Sequence, residues 1–162
     1  MYFPSETVLD LVELGIIPQS ARQLGQTLSL ESAGSLRRLA NGELKSRMRP
    51  SLRKFKSTIT FSDTYPPAFN ALWAGDIITV HCAAELSGRV GSAFVRQHVP
   101  GSVIWRNDLG DVVAPGEDET VAPVGATNYT FRPIIVFMVE GWDLDTDEYG
   151  AVVSSTLNLR EV

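Results

Sequence analysis

The chain of 162 residues contains one cysteine, two histidines and no apolar run approaching the roughly 18 residues that a bilayer-crossing helix needs. A single cysteine excludes a disulfide framework within one chain. Cys82, His81 and His98 together fall short of the four soft or imidazole ligands of a structural zinc site. No Gly-rich phosphate loop, internal repeat or low-complexity tract occurs. The segment Met1 to Pro18 has no basic start and is interrupted by Glu6, Asp10 and Glu13, so it does not read as a signal peptide. These absences lead to the expectation of a soluble, non-secreted protein of single-domain size, with no membrane-spanning part.

Positive charge is scarce everywhere except in one stretch. The overall net charge of −5 averages over a segregated pattern. Residues 22–56 hold Arg22, Arg37, Arg38, Lys45, Arg47, Arg49, Arg53, Lys54 and Lys56 against Glu31 and Glu43, a net of +7. Residues 57–162 carry five arginines and fourteen acids, a net of −9, and residues 1–21 carry −3. Charge separated in this way has three physical readings. A basic face can fold against the acidic remainder of its own molecule, meet the acidic face of a second copy, or meet a nucleic acid.

The hydropathy pattern predicts a mainly β protein: an antiparallel β-sandwich or partly closed barrel with a projecting hairpin and a short N-terminal helix. Ser5 as cap, the apolar positions Val8, Leu9, Leu11, Val12 and Leu14, and Gly15 as a C-terminal stop predict that helix. Two turns are marginal in water, so residues 1–17 read as a helical extension ordered only by docking, ahead of a single β-sandwich domain over 18–162. From there the period becomes two. Leu24, Gln26, Leu28 and Leu30 share one face of a strand near 23–30, and Phe55, Ser57, Ile59 and Phe61 share one face of another. Between them, Asn41-Gly42 predicts a type I′ hairpin turn with two positive φ angles. Further along, 77–86 reads as a central strand, 68–73 as a helical turn and 87–101 as a loop with a short strand at 93–95. A second hairpin is expected around Asn107 to Gly110. The clearest pair is 133–142 with 151–159, joined by the acidic connection Asp143 to Gly150.

Residues able to carry chemistry are few. His81 and Cys82 are neighbours in a predicted strand and point to opposite faces, which excludes a direct Cys-His pair. Asp143, Asp145, Asp147 and Glu148 resemble the start of a calcium loop, but Glu148 stands where the turn glycine belongs and Ser154 where the terminal Glu belongs. No nucleophile-base constellation emerges, and the expectation is a non-enzymatic protein with no cofactor or metal. Phe55 falls opposite Lys54 and Lys56, so it reads as core and not as a stacking platform for single-stranded nucleic acid.

Several separated segments together resemble a group of small virion structural proteins of tailed bacteriophages, of the kind encoded among tail and neck genes. They are Ser20-Ala21-Arg22 with Gln26-Thr27-Leu28, Leu36-Arg37-Arg38 with Asn41-Gly42, 54–59 with Pro66-Pro67-Ala68, and 147–151 leading to Leu157 and Leu159. The resemblance covers most of 18–162 and implies a subunit of rings or stacks: tail tube, terminator or baseplate-proximal ring, assembled in the bacterial cytoplasm and resident in the virion. Its partners would be copies of itself and other tail or neck proteins. A head-side neck or capsid decoration protein is the alternative, and a nucleic-acid-binding module using residues 22–56 is another. The residues expected at subunit contacts are Arg37, Arg38, Lys45 and Arg47 on the basic side and Asp143, Asp145, Asp147 and Glu148 on the acidic side. The loops 87–101 and 115–128 are expected to contribute as well.

Overall fold

Alternating apolar and polar side chains make strands along most of the chain. The computed structural model describes residues 6–31, 35–149 and 151–162. Its strands are β1 (Asp10–Leu11), β2 (Gln23–Leu30), β3 (Leu36–Arg38), β4 (Leu44–Ser46), β5 (Phe55–Asp63), β6 (Ile77–His81), β7 (Leu86–Arg89), β8 (Ile104–Arg106), β9 (Val112–Val113), β10 (Asn128–Phe131), β11 (Ile134–Thr146) and β12 (Val153–Glu161). The one helical element among the described residues is a 3₁₀ turn at Pro50–Leu52. Six strands form an antiparallel sheet in the order β1-β6-β11-β12-β5-β2, four form a second sheet, β7-β10-β8-β9, and β3 pairs with β4 alone.

The larger sheet curls into a half-barrel. Its concave face holds Ile59 and Phe61 of β5, Ile78 and Val80 of β6, Ile135, Phe137 and Val139 of β11, and Leu157 and Leu159 of β12, closed over by Phe69 and Leu72. The smaller sheet has its own cluster of Val103, Trp105, Tyr129 and Phe131 with Phe94 packed against it. The two sheets therefore bury separate apolar clusters and not one shared interior. They meet at a bend: β6 leads into β7 through 82–85, and β10 leads into β11 through Arg132 and Pro133. The Cys82 amide donates to the Pro133 carbonyl, which joins the two bends. The predicted strand over 77–86 is thus broken in two, and β10 is a strand that the turn-rich surroundings of 115–128 hid.

The N-terminal helix is a correction. Leu9 and Leu11 are buried in the half-barrel core while Val8 and Val12 are exposed, an alternation of period two. β1 pairs with β6 at Asp10↔His81 and Leu11↔Val80, and the Val12 amide donates to the Thr79 carbonyl. The backbone groups on the open edge of β6 offer this segment more than two isolated helical turns do. What remains of the helical signal is one turn, closed by the Gly15 amide on the Leu11 carbonyl with Gly15 at φ 71°. Ser5, the expected cap, lies outside the described residues.

Three further expectations shift by small amounts. Residues 68–73 form turns without a helix, and 93–95 form no strand, that strand lying earlier at β7. The Asn41-Gly42 hairpin forms, but only Gly42 takes a positive φ, 85°. The Leu39 amide donates to the Glu43 carbonyl and the Gly42 amide to the Leu39 carbonyl. This is a three-residue loop with the glycine in the left-handed position, not the two-residue type I′ turn. Asn107 to Asp111 repeats the same bonding, with Gly110 at φ 88°.

Candidate functional site

The strand register places the two charged segments at opposite ends of the half-barrel. Leu30 of β2 lies beside Phe55 of β5, and the basic excursion containing β3 and β4 leaves the sheet between these two residues. At the other end of β5, Asp63 lies beside Val153 and Ser62 beside Ser154, which in turn pairs with Asp145. Asp147, Glu148 and Tyr149 follow beyond the last rung of the β11–β12 hairpin, Thr146↔Val153. At about 3.3 Å per residue, the nine residues of β5 separate the basic and acidic ends by roughly 30 Å.

A β-bulge aims the acidic side chains. Between Val139 and Gly141 the register of β11 against β12 shifts by one residue. Before the bulge Val139 faces the core; after it Trp142 and Leu144 lie opposite the buried Leu157 and Ser155, on the concave side. Residues directly opposite in an antiparallel pair share a face. Asp143 and Asp145 are consequently turned outward, where Asp143 Oδ1 accepts from the Thr156 amide. Trp142 is anchored inward, its Nε1–H donating to the Leu72 carbonyl and its ring 5.6 Å from that of Phe69. Asp143 and Asp145 are thus ladder residues of β11, where a turn connection was expected. Among the described residues no three His, Cys, Asp or Glu side chains group as a metal site would require.

The basic end is built differently. Every residue of β3 and β4 is exposed, and apart from each other neither contacts another strand among the described residues. Arg37 lies directly opposite Lys45, a like-charge pair that disfavours the isolated hairpin. Arg38 donates to the Gly42 carbonyl. Arg37, Arg38, Lys45 and Arg47 make no ion pair among the described residues, and neither do Asp143, Asp145, Asp147 and Glu148. The eight residues expected at contacts are therefore among the charges that make no ion pair within the described residues.

Several charges elsewhere are paired inside the molecule. The Arg22 guanidinium and amide both bind the Asp63 carboxylate, whose side chain is only 4% exposed, at 2.6–3.0 Å. That bonding to Arg22 holds the Asp63 carboxyl well below the usual carboxylate range. Arg96 meets Glu161 at 2.5 Å, also donates to the Arg53 carbonyl, and lies 5.2 Å from the centre of the Phe55 ring. Glu161 accepts from the Phe55 amide too, so this cluster fastens the start of β5 to the end of β12. Phe55 thus has Arg96 over its ring and stays half-buried. In the loops expected to make contacts, Glu119 accepts from His98 at 2.7 Å and from the Gly101 amide, tying 87–101 to 115–128. His98, Arg96, Glu161 and Glu119 act as internal fasteners that no local sequence motif announces.

Cys82 is fully buried, and desolvation pushes its thiol up to about 11, which keeps it from acting as a thiolate at neutral pH. Gln26 had a signal in the sequence, a polar residue in an otherwise leucine row. Its Oε1 accepts from the Ala83 and Ala84 amides at the bend between β6 and β7, and its Nε2 donates to Ser57 Oγ.

One cleft opens at the basic end, with a volume of about 450 Å³. Leu30, Met48, Pro50, Phe55 and Val95 make its apolar wall, Arg53, Lys54 and Arg96 line it as cations, and its one acid, Glu31, is paired with Arg160 at 3.4 Å. No family model, curated protein or solved structure matches the chain.

Proposed function

We propose that this chain is a non-enzymatic structural subunit of a tailed-phage virion, a component of the tail tube, its terminator or a baseplate-proximal ring, that assembles by head-to-tail contacts between copies. The observation that carries the reading is the placement of unneutralised positive and negative charge at opposite ends of one rigid sheet. Such a molecule cannot satisfy its two ends against each other across roughly 30 Å, because ionic attraction in water at physiological salt fades over about 8 Å. A second copy in the same orientation brings the two ends together. Contacts of this heterologous kind repeat, and they generate rings or stacks. The resemblance to virion proteins names the setting in which such repetition is used.

Sedimentation of the purified chain tests the assembly. Wild type is expected to form larger species as concentration rises, and Arg37→Glu with Arg38→Glu to weaken them most at low salt, where screening is least. A chain that stays monomeric at every concentration and salt overturns the proposal. Mass spectrometry of separated heads and tails then places the protein, and recovery with heads alone reassigns it to a neck or decoration role. The same free cations would also serve a nucleic acid. That reading predicts retention on DNA at low ionic strength that falls steeply with salt, with no dependence on the acidic tip.

A further inference from the structure

The cleft at the basic end and the tip of the acidic hairpin are both incomplete as they stand. Leu30 is 72% exposed and Val95 58% exposed at the cleft wall, an apolar surface that the chain itself does not cover. At the opposite end, Tyr149 is 93% exposed beyond the last rung of β11–β12, with its amide bonded to Asp147 Oδ1. An aromatic ring held out on a short turn, flanked by Asp147 and Glu148, matches an apolar recess lined also by Arg53, Lys54 and Arg96, whose one acid, Glu31, is already taken up by Arg160. Tyrosine is enriched among the few residues that dominate binding energy, because its ring buries a large area while its hydroxyl stays hydrated.

We propose that Tyr149 of one copy seats in the cleft between Leu30, Met48, Phe55 and Val95 of the next copy, with Asp147 and Glu148 facing that copy's Arg49, Arg53 and Lys54. This inference rests on the head-to-tail reading and deepens it by naming the plug and the socket. The occupant is a second copy because plug and socket lie at opposite ends of β5, too far apart for one chain to bring together. Charge sets the polarity: the socket is built mostly from the +7 segment, completed by Val95 and Arg96, and the plug lies in the −9 segment. Arg49 and Arg53 make no ion pair among the described residues, so they are free to receive the acids. Lys54 already donates to the Val162 main-chain oxygen, which fixes its ammonium at the socket.

Cross-linking of full-length chains tests the pairing. Cys82 is fully buried and adds no background. A mixture of Tyr149→Cys and Met48→Cys chains, treated with a short bis-maleimide, is expected to give a covalent dimer containing one of each, absent when either variant is treated alone. The double variant, with plug and socket on one chain, is expected to give a ladder of longer species. In sedimentation, Tyr149→Ser is expected to weaken association about tenfold or more, and Tyr149→Phe far less, as befits a central aromatic contact. Cross-linking of Tyr149→Cys to itself overturns the inference, since it signals tip-to-tip pairing. Wild-type assembly that Tyr149→Ser leaves unchanged also overturns it, while leaving the head-to-tail reading standing. A wild-type chain that never associates overturns both.

Discussion

The half-barrel and the β3–β4 hairpin use the same backbone ladder for opposite purposes. In the half-barrel, alternate side chains such as Ile59, Phe137 and Leu157 are fully buried, and its two least exposed carboxylates in ion pairs, Asp63 and Glu161, are held by arginines at short range. In the hairpin no side chain is buried: Leu36 is 63% exposed and Arg37 faces Lys45. A two-stranded hairpin with no packed face is marginal in water. The contrast shows where stability is made and where it is not. The hairpin adds little to folding, so its cluster of cations has to be explained by what it meets and not by what it holds up.

The comparison can be broken first at its strongest point. Phe137→Ala empties the middle of the half-barrel and is expected to cost about 3–5 kcal/mol in urea-induced unfolding. A loss below 1 kcal/mol would mean that the curled sheet is not the main source of stability. Smaller is the effect at the second sheet, where Gly88 lies opposite Tyr129 in the β7–β10 ladder. A Cβ there would stand 2.5 Å from the Tyr129 hydroxyl and 2.7 Å from its Cζ. The Tyr129 ring is held by Phe94, Trp105 and Phe131 and has little room to yield. Gly88→Ala is expected to destabilise by about 1–3 kcal/mol, as overpacking does, and an unchanged unfolding midpoint would tell against so tight a cluster.

Asp63 sharpens the comparison through pH. Its folded carboxyl is held below the ordinary value, about 3.9 in an unfolded chain, by bonding to Arg22. The unfolded chain therefore takes up this proton first as acid is added. The Asp63 contribution is complete above about pH 4 and is lost as pH falls from there toward the folded value. In Asp63→Asn the acid-side decline of the unfolding free energy should be shallower. Identical slopes in the two proteins would show that the pair contributes nothing.

Much of this fold was legible because alternation survives in the sequence. β2 was located at its observed ends, and Phe55, Ser57, Ile59 and Phe61 share the concave side. The failures have physical causes. Val8-Leu9 and Leu11-Val12 satisfy a helical and an alternating period about equally over so short a span, and the open edge of β6 decides between them. Asn41-Gly42 marks a hairpin but does not fix its loop length. The bulge after Val139 had a signal, since Ile135, Phe137 and Val139 at odd positions give way to Trp142 and Leu144 at even ones. As for the candidate site, the segregation of charge was readable by counting. Its arrangement at opposite ends was not, because that depends on the registers of β2 on β5 and β5 on β12, which pair residues 25 to 104 positions apart.

The smallest expected effect on stability tests the contrast most directly. Arg37→Ala with Arg38→Ala removes two exposed guanidinium groups that make no ion pair among the described residues. Exposed changes of this kind move the unfolding free energy by no more than about 0.5 kcal/mol. Relief of the Arg37 to Lys45 repulsion offsets part of any loss. If copies assemble head to tail as proposed, the same variant should weaken self-association at low salt, because that assembly assigns the deleted charges to the contact and not to the fold. Equal losses of folding stability and association would mean that the hairpin is packed on the body in solution. Loss of association with stability kept would separate the two regions as the structure divides them, with one sheet that folds the chain and one hairpin that it presents to a neighbour.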